Sequence, residues 1–241
     1  VTIPEPARVG FGAGADAYAR GRPSYPADAV AYVLSKVSGT VLDLAAGTGI
    51  FTSLLTPHRE VIAVEPVESM RAKITDAARV LDGTAESIPL DDLSVDAVTV
   101  AQAFHWFRFD EALAEIARVL RPAGSLVMLW NRRDESVPWV NRMSEVINWR
   151  SHQISQYDRI DWPGVIAESG RYGEVEHRSF SWEHVIDRAL LAERVRSVSY
   201  VAAMDKAERE ALVTEVLSLA ADFPETFPMP YNTLVWCTTR S

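Results

Sequence analysis

The chain has 241 residues, 48% apolar and 24% charged, the composition of an ordinary globular protein and not of a disordered, collagen-like or repeat sequence. The lone Cys237 excludes an intramolecular disulfide, and His58, His105, His152, His177 and His184 show no metal-ligand spacing, so no metal is expected. A formal net charge of −9 argues against a nucleic-acid partner, because that affinity is mostly counterion release by clustered Lys and Arg.

The opening VTIPEPARVG has no basic segment leading into an apolar core, and no apolar run reaches the roughly 18 residues of a membrane span. A cytoplasmic protein with no membrane or nucleic-acid partner is therefore expected. Only Lys36, Lys73 and Lys206 are lysines among 24 basic residues, a bias common in GC-rich bacterial genomes.

Residues 1–25 hold Pro4, Pro6, Gly10, Gly12, Gly14, Gly21 and Pro23 and read as an irregular leader. After Pro26, the spacing of Val30, Val33, Leu34 and Val37 predicts an amphipathic helix ended by Gly39. A strand over Val41–Leu44, a Gly-containing loop and a helix carrying Phe51, Leu54 and Leu55 follow. The pattern repeats with a strand at Val61–Val64, a helix at Met70–Ala78, and strands at Arg79–Leu81 and Val95–Ala101. Asp110 heads a helix with Leu113, Ile116, Ala117 and Leu120 on one face, closed by Arg121–Gly124 and followed by a strand at Leu126–Trp130.

Residues 134–170 read as a helix plus a surface insert. A strand at Val175–Trp182, helices near Asp187–Val195 and Ala207–Ala221, and a strand at Thr233–Thr238 complete the chain. The last strand, after a Pro-rich connector, is expected to enter antiparallel at or near the sheet edge. The predicted class is α/β: a doubly wound, mostly parallel, seven-stranded Rossmann-like sheet with an antiparallel C-terminal strand and helices on both faces.

The segment VLDLAAGTGIFT (41–52) sets the small residues Ala45, Ala46, Gly47 and Gly49 where a strand turns into a helix, so a ligand can approach the backbone closely. A dinucleotide fingerprint needs a third glycine where Thr52 stands. Asp43 beside this loop would repel a pyrophosphate and favour a cationic ligand. Glu65 ends the next strand, and a carboxylate there can accept from both hydroxyls of a ribose.

Together Asp43, the AAGTG loop and Glu65 resemble the first two motifs of the class I S-adenosylmethionine-dependent methyltransferases. The resemblance continues through GTAESIPL (83–90), VDAVTVAQAFHWF (95–107) and ALAEIARVLRPAGSLVMLW (112–130). It implies one methyltransferase domain over 1–241, with the leader 1–25 over the site, a cofactor-binding core at 40–130, and substrate-side helices at 131–170 and 182–230. S-adenosyl-L-methionine is the implied cofactor. Its implied contacts are Asp43, Ala45, Gly47, Gly49, Glu65, Pro66 and Met70, with Ala85 and Glu86 at adenine and Ala101 and Gln102 at the methionine part. Outside the core, FGAGADAYARGRPSYP (11–26), WNRRDESVPW (130–139) and RVRSVSYVA (194–202) look similar to a trans-aconitate methyltransferase-like branch, whose name suggests a carboxylic acid acceptor.

Methyl transfer needs alignment and desolvation more than a nucleophilic residue. An alcohol, phenol or carbon acid would also need a base, for which His105 at the end of the fourth strand is the catalytic candidate, whereas a carboxylate would not. Arg20 and Arg22, between Tyr18 and Tyr25, suit a planar carboxylate. Arg196 and Tyr200 could form the opposite wall, and Trp106 an apolar side. The strand before Gln102 lacks the Asn or Asp-Pro-Pro-aromatic sequence that holds planar amines, which with the acidic charge favours a small-molecule methyl acceptor. A monomer or homodimer is expected. The rivals are a nicotinamide oxidoreductase, which would share the sheet and ribose acid, and a non-catalytic S-adenosylmethionine-binding regulator.

Overall fold

The structure is a computed structural model and describes residues 22–149 and 160–241. In chain order its first half holds α1 (Ala27–Lys36), β1 (Thr40–Leu44), α2 (Thr52–Leu55), β2 (Glu60–Val64), α3 (Glu68–Arg71), β3 (Arg79–Leu81), β4 (Val95–Ala101) and α4 (Phe109–Val119). The second half holds β5 (Leu120–Arg133), α5 (Pro138–Val146), α6 (Trp162–Glu168), β6 (Glu176–Asp187), α7 (Arg188–Arg196), α8 (Ser199–Ala202), α9 (Lys206–Ser218) and β7 (Thr226–Thr239).

The seven strands form one sheet in the order β3-β2-β1-β4-β5-β7-β6. The first five run parallel, while β7 is antiparallel to both β5 and β6. Strands β1 and β2 are buried along almost their whole length, as expected where helices cover both faces of a parallel sheet. Side chains alternate between the faces. Val41 points into a cluster with Val33, Phe51, Leu55 and Val235. Its neighbour Leu42 joins Phe104, Leu113, Ile116, Trp130 and Trp162 on the other side. A third cluster, including Met143, Leu191, Val213 and Phe227, lies under α5, α7 and α9.

The chain departs from the predicted elements in four places. The expected helix over Met70–Ala78 is the single turn α3, and just beyond it the Thr75 hydroxyl bonds its neighbour Asp76 at 3.0 Å, a local contact that competes with helical bonding. Strand β5 begins at Leu120, before the predicted Leu126, and its register with β4 shifts between Val95 and Ala97. Ala123 sits at φ 60 in that irregularity. Finally, β7 is antiparallel and one strand from the edge, as expected, but it begins early enough to take in Pro228 and Pro230 of the expected connector. Pro228 and Pro230 pair only with β6, because the β5 ladder starts at Tyr231, so their missing N–H groups cost no second ladder. Strand β6 likewise runs past the predicted Trp182 to Asp187.

On one face, Trp130 and Trp162 are nearly fully buried and stack with centroids 4.8 Å apart, and Trp162 meets Phe104 edge-on at 5.6 Å. Truncation of Trp162 to Ala should cost about 3–5 kcal/mol, whereas Val185→Thr on the exposed edge should stay within about 0.5 kcal/mol. Denaturant midpoints with unchanged slopes would check the contrast.

Candidate active site

The strand order reverses between β1 and β4, and open α/β sheets bind ligands outside the carboxyl ends of strands at such a point. A cleft opens there, with roughly 800 Å³ of empty space when its open mouth is counted. After β1 the chain turns at Ala45 (φ 56) and Gly47 (φ 59), and Gly49 holds φ 84. A side chain on Gly49 would also press on Ile74, 3.3 Å from the ideal Cβ position, so glycine serves both conformation and space.

Glu65 lies directly after β2 and is 4% exposed. Its Oε2 accepts the Gly47 N–H at 2.9 Å and its Oε1 the Val67 N–H at 2.8 Å. One carboxylate thus clamps the β1 and β2 loops together while each oxygen keeps acceptor capacity toward the cleft. Burial raises its pKa, offset by those two backbone bonds and by Arg71. The Arg71 guanidinium itself holds the Glu65 carbonyl at 2.7 Å.

Asp43 stands beneath the loop and is fully buried. Its Oδ2 accepts from the Thr52 hydroxyl at 2.6 Å and its Oδ1 from the Thr99 hydroxyl at 3.0 Å. Desolvation raises its pKa from 3.8 to about 6 against those hydroxyl bonds. At the end of β4, Gln102 is held at φ 61, with its N–H on the Leu129 carbonyl at 2.8 Å and its side-chain amide 3.4 Å from the Asn131 carbonyl.

Of the residues expected from sequence, the cleft is lined by Arg22, Tyr25, Ala45, Gly47, Glu65, Pro66, Met70, Ala101, Gln102 and Trp106. Asp43, Gly49 and His105 stand behind this lining. Ala85 is buried in the core, and Glu86 accepts the Arg108 N–H at 2.9 Å. Tyr18 and Arg20 lie outside the described residues. Tyr200 donates to the Ile147 carbonyl at 2.7 Å, and burial raises its pKa.

Arg196 turns away, toward α9, and grips Glu210 with two bonds of 3.0 and 2.5 Å. Residues two apart on a helix face opposite ways, and Arg194 accordingly points inward. It is 4% exposed, donates to the Tyr231 hydroxyl at 2.9 Å and lies 2.7 Å from His184 Nδ1. Burial lowers its pKa, with the charges of Arg22 and Arg133 adding to that effect. Helical periodicity over the predicted Asp187–Val195 helix was the signal that could have separated Arg194 from Arg196. Thr48 was also missed. It lines the cleft, and its shielded hydroxyl has no hydrogen-bond partner among the described residues.

His105 lies in the 3₁₀ turn Phe104–Trp106 that follows β4. Its Nδ1 accepts the Trp130 indole N–H at 3.2 Å, and its ring stacks obliquely on Trp106, centroids 4.8 Å apart. Burial, with Arg22 nearby, pushes its pKa down to about 3.

Among the described residues, no group of three or more His, Cys, Asp or Glu could hold a metal, and no helix is long and apolar enough to cross a membrane. The Ala45–Gly49 turn, the Glu65 carboxylate and the unpartnered Thr48 hydroxyl instead suit a nucleoside with a polar tail.

The family model described as a methyltransferase domain matches residues 42–128. An uncharacterized methyltransferase of Mycobacterium tuberculosis is 39% identical over 219 residues, covering 89% of this chain and 86% of its own. A malonyl-[acyl-carrier protein] O-methyltransferase of Methylococcus capsulatus is 41% identical over 96 residues, 36% of this chain and 35% of its own. A solved structure from Anaeromyxobacter dehalogenans, assigned as a type II methyltransferase, is 25% identical with a TM-score of 0.68, covering 91% of this chain and 97% of that one.

Because the fold holds Asp43 with a raised pKa, it binds that proton more tightly than the unfolded chain does. Wild-type stability should therefore fall by roughly 2 kcal/mol relative to Asp43→Asn as pH rises from 4 to 7. Parallel unfolding curves for the two proteins across that range would contradict the assignment. With fold, cleft and relatives in agreement, the chain belongs to the class I S-adenosylmethionine-dependent methyltransferases.

Proposed function

We propose that this methyltransferase O-methylates a small carboxylic acid. The observation that carries the reading is a cluster of three guanidinium groups: Arg22 lines the cleft, and both Arg22 and Arg133 act on the charge of the buried Arg194. In a chain of net charge −9 this is a local positive field, and guanidinium groups suit a planar carboxylate. Arg133 also stacks on Trp149, 4.4 Å from the ring centroid, and its Nη2 is a shielded donor with no hydrogen-bond partner among the described residues. The likeness to the malonyl-[acyl-carrier protein] O-methyltransferase over part of the chain supports oxygen as the methylated atom.

When bound, S-adenosylmethionine supplies an electrophilic sulfonium methyl: the acceptor's lone pair forms the new bond to carbon, and the pair of the broken C–S bond returns to sulfur. Glu65 would hold the ribose hydroxyls, and the Ala45–Gly47 turn, Ala101 and Gln102 would flank the amino-acid end. Arg22, which lines the cleft, would orient the acceptor carboxylate. The apolar sides given by Phe51, Met70 and Trp106 exclude water, which strengthens each charge contact inside.

Glu65→Ala should weaken S-adenosylhomocysteine binding by calorimetry by about tenfold to a hundredfold, the cost of roughly 1.5–3 kcal/mol for a lost charged acceptor. Arg22→Ala should leave that affinity intact while raising the acceptor KM. With methyl-labelled S-adenosylmethionine and the small-molecule fraction of a bacterial extract, the product label should leave as methanol after mild base. A base-stable product would replace the carboxylate with an amine, ether or carbon acceptor.

A further inference from the structure

The segment that leads into α1 forms part of the cleft wall. Arg22 and Tyr25 each precede a proline, Pro23 and Pro26, and a residue before proline is held to extended backbone. Arg22, Pro23 and Tyr25 line the same cleft as the Ala45–Gly47 turn, Glu65 and Gln102. The Tyr25 ring meets Phe51, another lining residue, edge-on at 5.0 Å, and Arg22 donates to the Ser197 carbonyl just past α7 at 3.3 Å. Between them, the Ser24 carbonyl accepts from Asn131 Nδ2 at 2.8 Å.

The direction of that bond is fixed from behind by two further strands. Asn131 on β5 is 7% exposed, and Thr233 on β7 is fully buried. The indole of Trp182 on β6 can only donate, and it gives its N–H to the Thr233 hydroxyl at 2.9 Å. The Thr233 hydroxyl proton goes to Asn131 Oδ1 at 2.6 Å. That leaves Nδ2 to face the Ser24 carbonyl, a group that can only accept. Turning the amide over would set oxygen against oxygen. The main-chain carbonyl of Asn131 accepts from the Gln102 side chain at 3.4 Å, and Gln102 lines the cleft from the end of β4. One buried residue thus bonds both the 22–25 segment and the β4 end of the cleft.

We propose that Asn131 is a positioning residue, oriented by Thr233 and Trp182, that holds segment 22–25 against the cleft and so governs how fast the spent cofactor, S-adenosylhomocysteine, is released. A ligand that fills the cleft stands against Arg22, Pro23 and Tyr25. Loosening them opens the cleft while Glu65 and the turn after β1 keep their own hydrogen bonds.

Release of S-adenosylhomocysteine from the full chain, followed by stopped-flow tryptophan fluorescence with Trp106 in the cleft lining, tests this without any acceptor, so the result is independent of whether a carboxylic acid is methylated. Asn131→Ala cuts the Ser24 bond but keeps the main-chain carbonyl for Gln102. It should speed release about three- to tenfold, the scale of one lost hydrogen bond, with association not slowed. A variant that only folds less well would lower the fraction of protein that binds and leave the release rate of bound molecules as in the wild type. Thr233→Val keeps the buried shape without the hydroxyl and should also speed release, whereas Thr233→Ser keeps the hydroxyl and should match the wild type. A wild-type release rate in Asn131→Ala would overturn the proposal. Equal acceleration in Thr233→Val and Thr233→Ser would assign the effect to packing and overturn it too.

Discussion

A carboxylate with no exposure to water ties together the elements on which the site rests. Asp43, next to the end of β1, accepts a hydrogen bond from the hydroxyl of Thr52 on α2 and another from the hydroxyl of Thr99 on β4. The small-residue turn between β1 and α2 is therefore suspended from a point held on two sides. A buried carboxylate is tolerable only when its lone pairs are engaged, and the two hydroxyl bonds meet that demand. The raised pKa records the residual cost.

Glu65 repeats the arrangement one strand away, with a different division of labour. Where Asp43 is spent on structure, Glu65 faces the cleft and uses backbone N–H groups from two loops to hold itself in place. The pair sets the gap between the β1 and β2 loops before any ligand enters. Such preorganisation lets binding energy go to the ligand and not to ordering the loop.

Along α7 the division is one of charge. Arg194 is drawn inward against Tyr231 and His184, while Arg196, two residues on, is discharged on Glu210 at the surface. One short helix thus sorts its cations, one into the site's field and one into a half-exposed ion pair of small energetic value. After β4, His105 accepts the indole N–H of Trp130 at Nδ1.

The order of strands and helices, the glycine turn and the ribose acid were legible in the sequence because each is a local pattern. Alternating apolar runs, a strand ending in small residues, and an acid one strand later need no knowledge of distant partners. The extent of β7 was not legible, because prolines argue against a strand until one sees that at those positions the side toward β5 is unpaired. Nor were the roles of individual polar groups. Asp43 reads as a ligand residue from its position beside the loop, yet its partners come from Thr52 and from Thr99, a strand away. His105 reads as a base from its position after β4, but its nitrogens are assigned by Trp130 on β5, and Arg196 reads as part of a wall until Glu210 claims it. Sequence alone determined the class of protein and the strand ends at which a cleft would open. Only the tertiary structure decided which side chains are free to act there, because hydrogen-bond capacity is consumed by neighbours that folding brings from elsewhere in the chain.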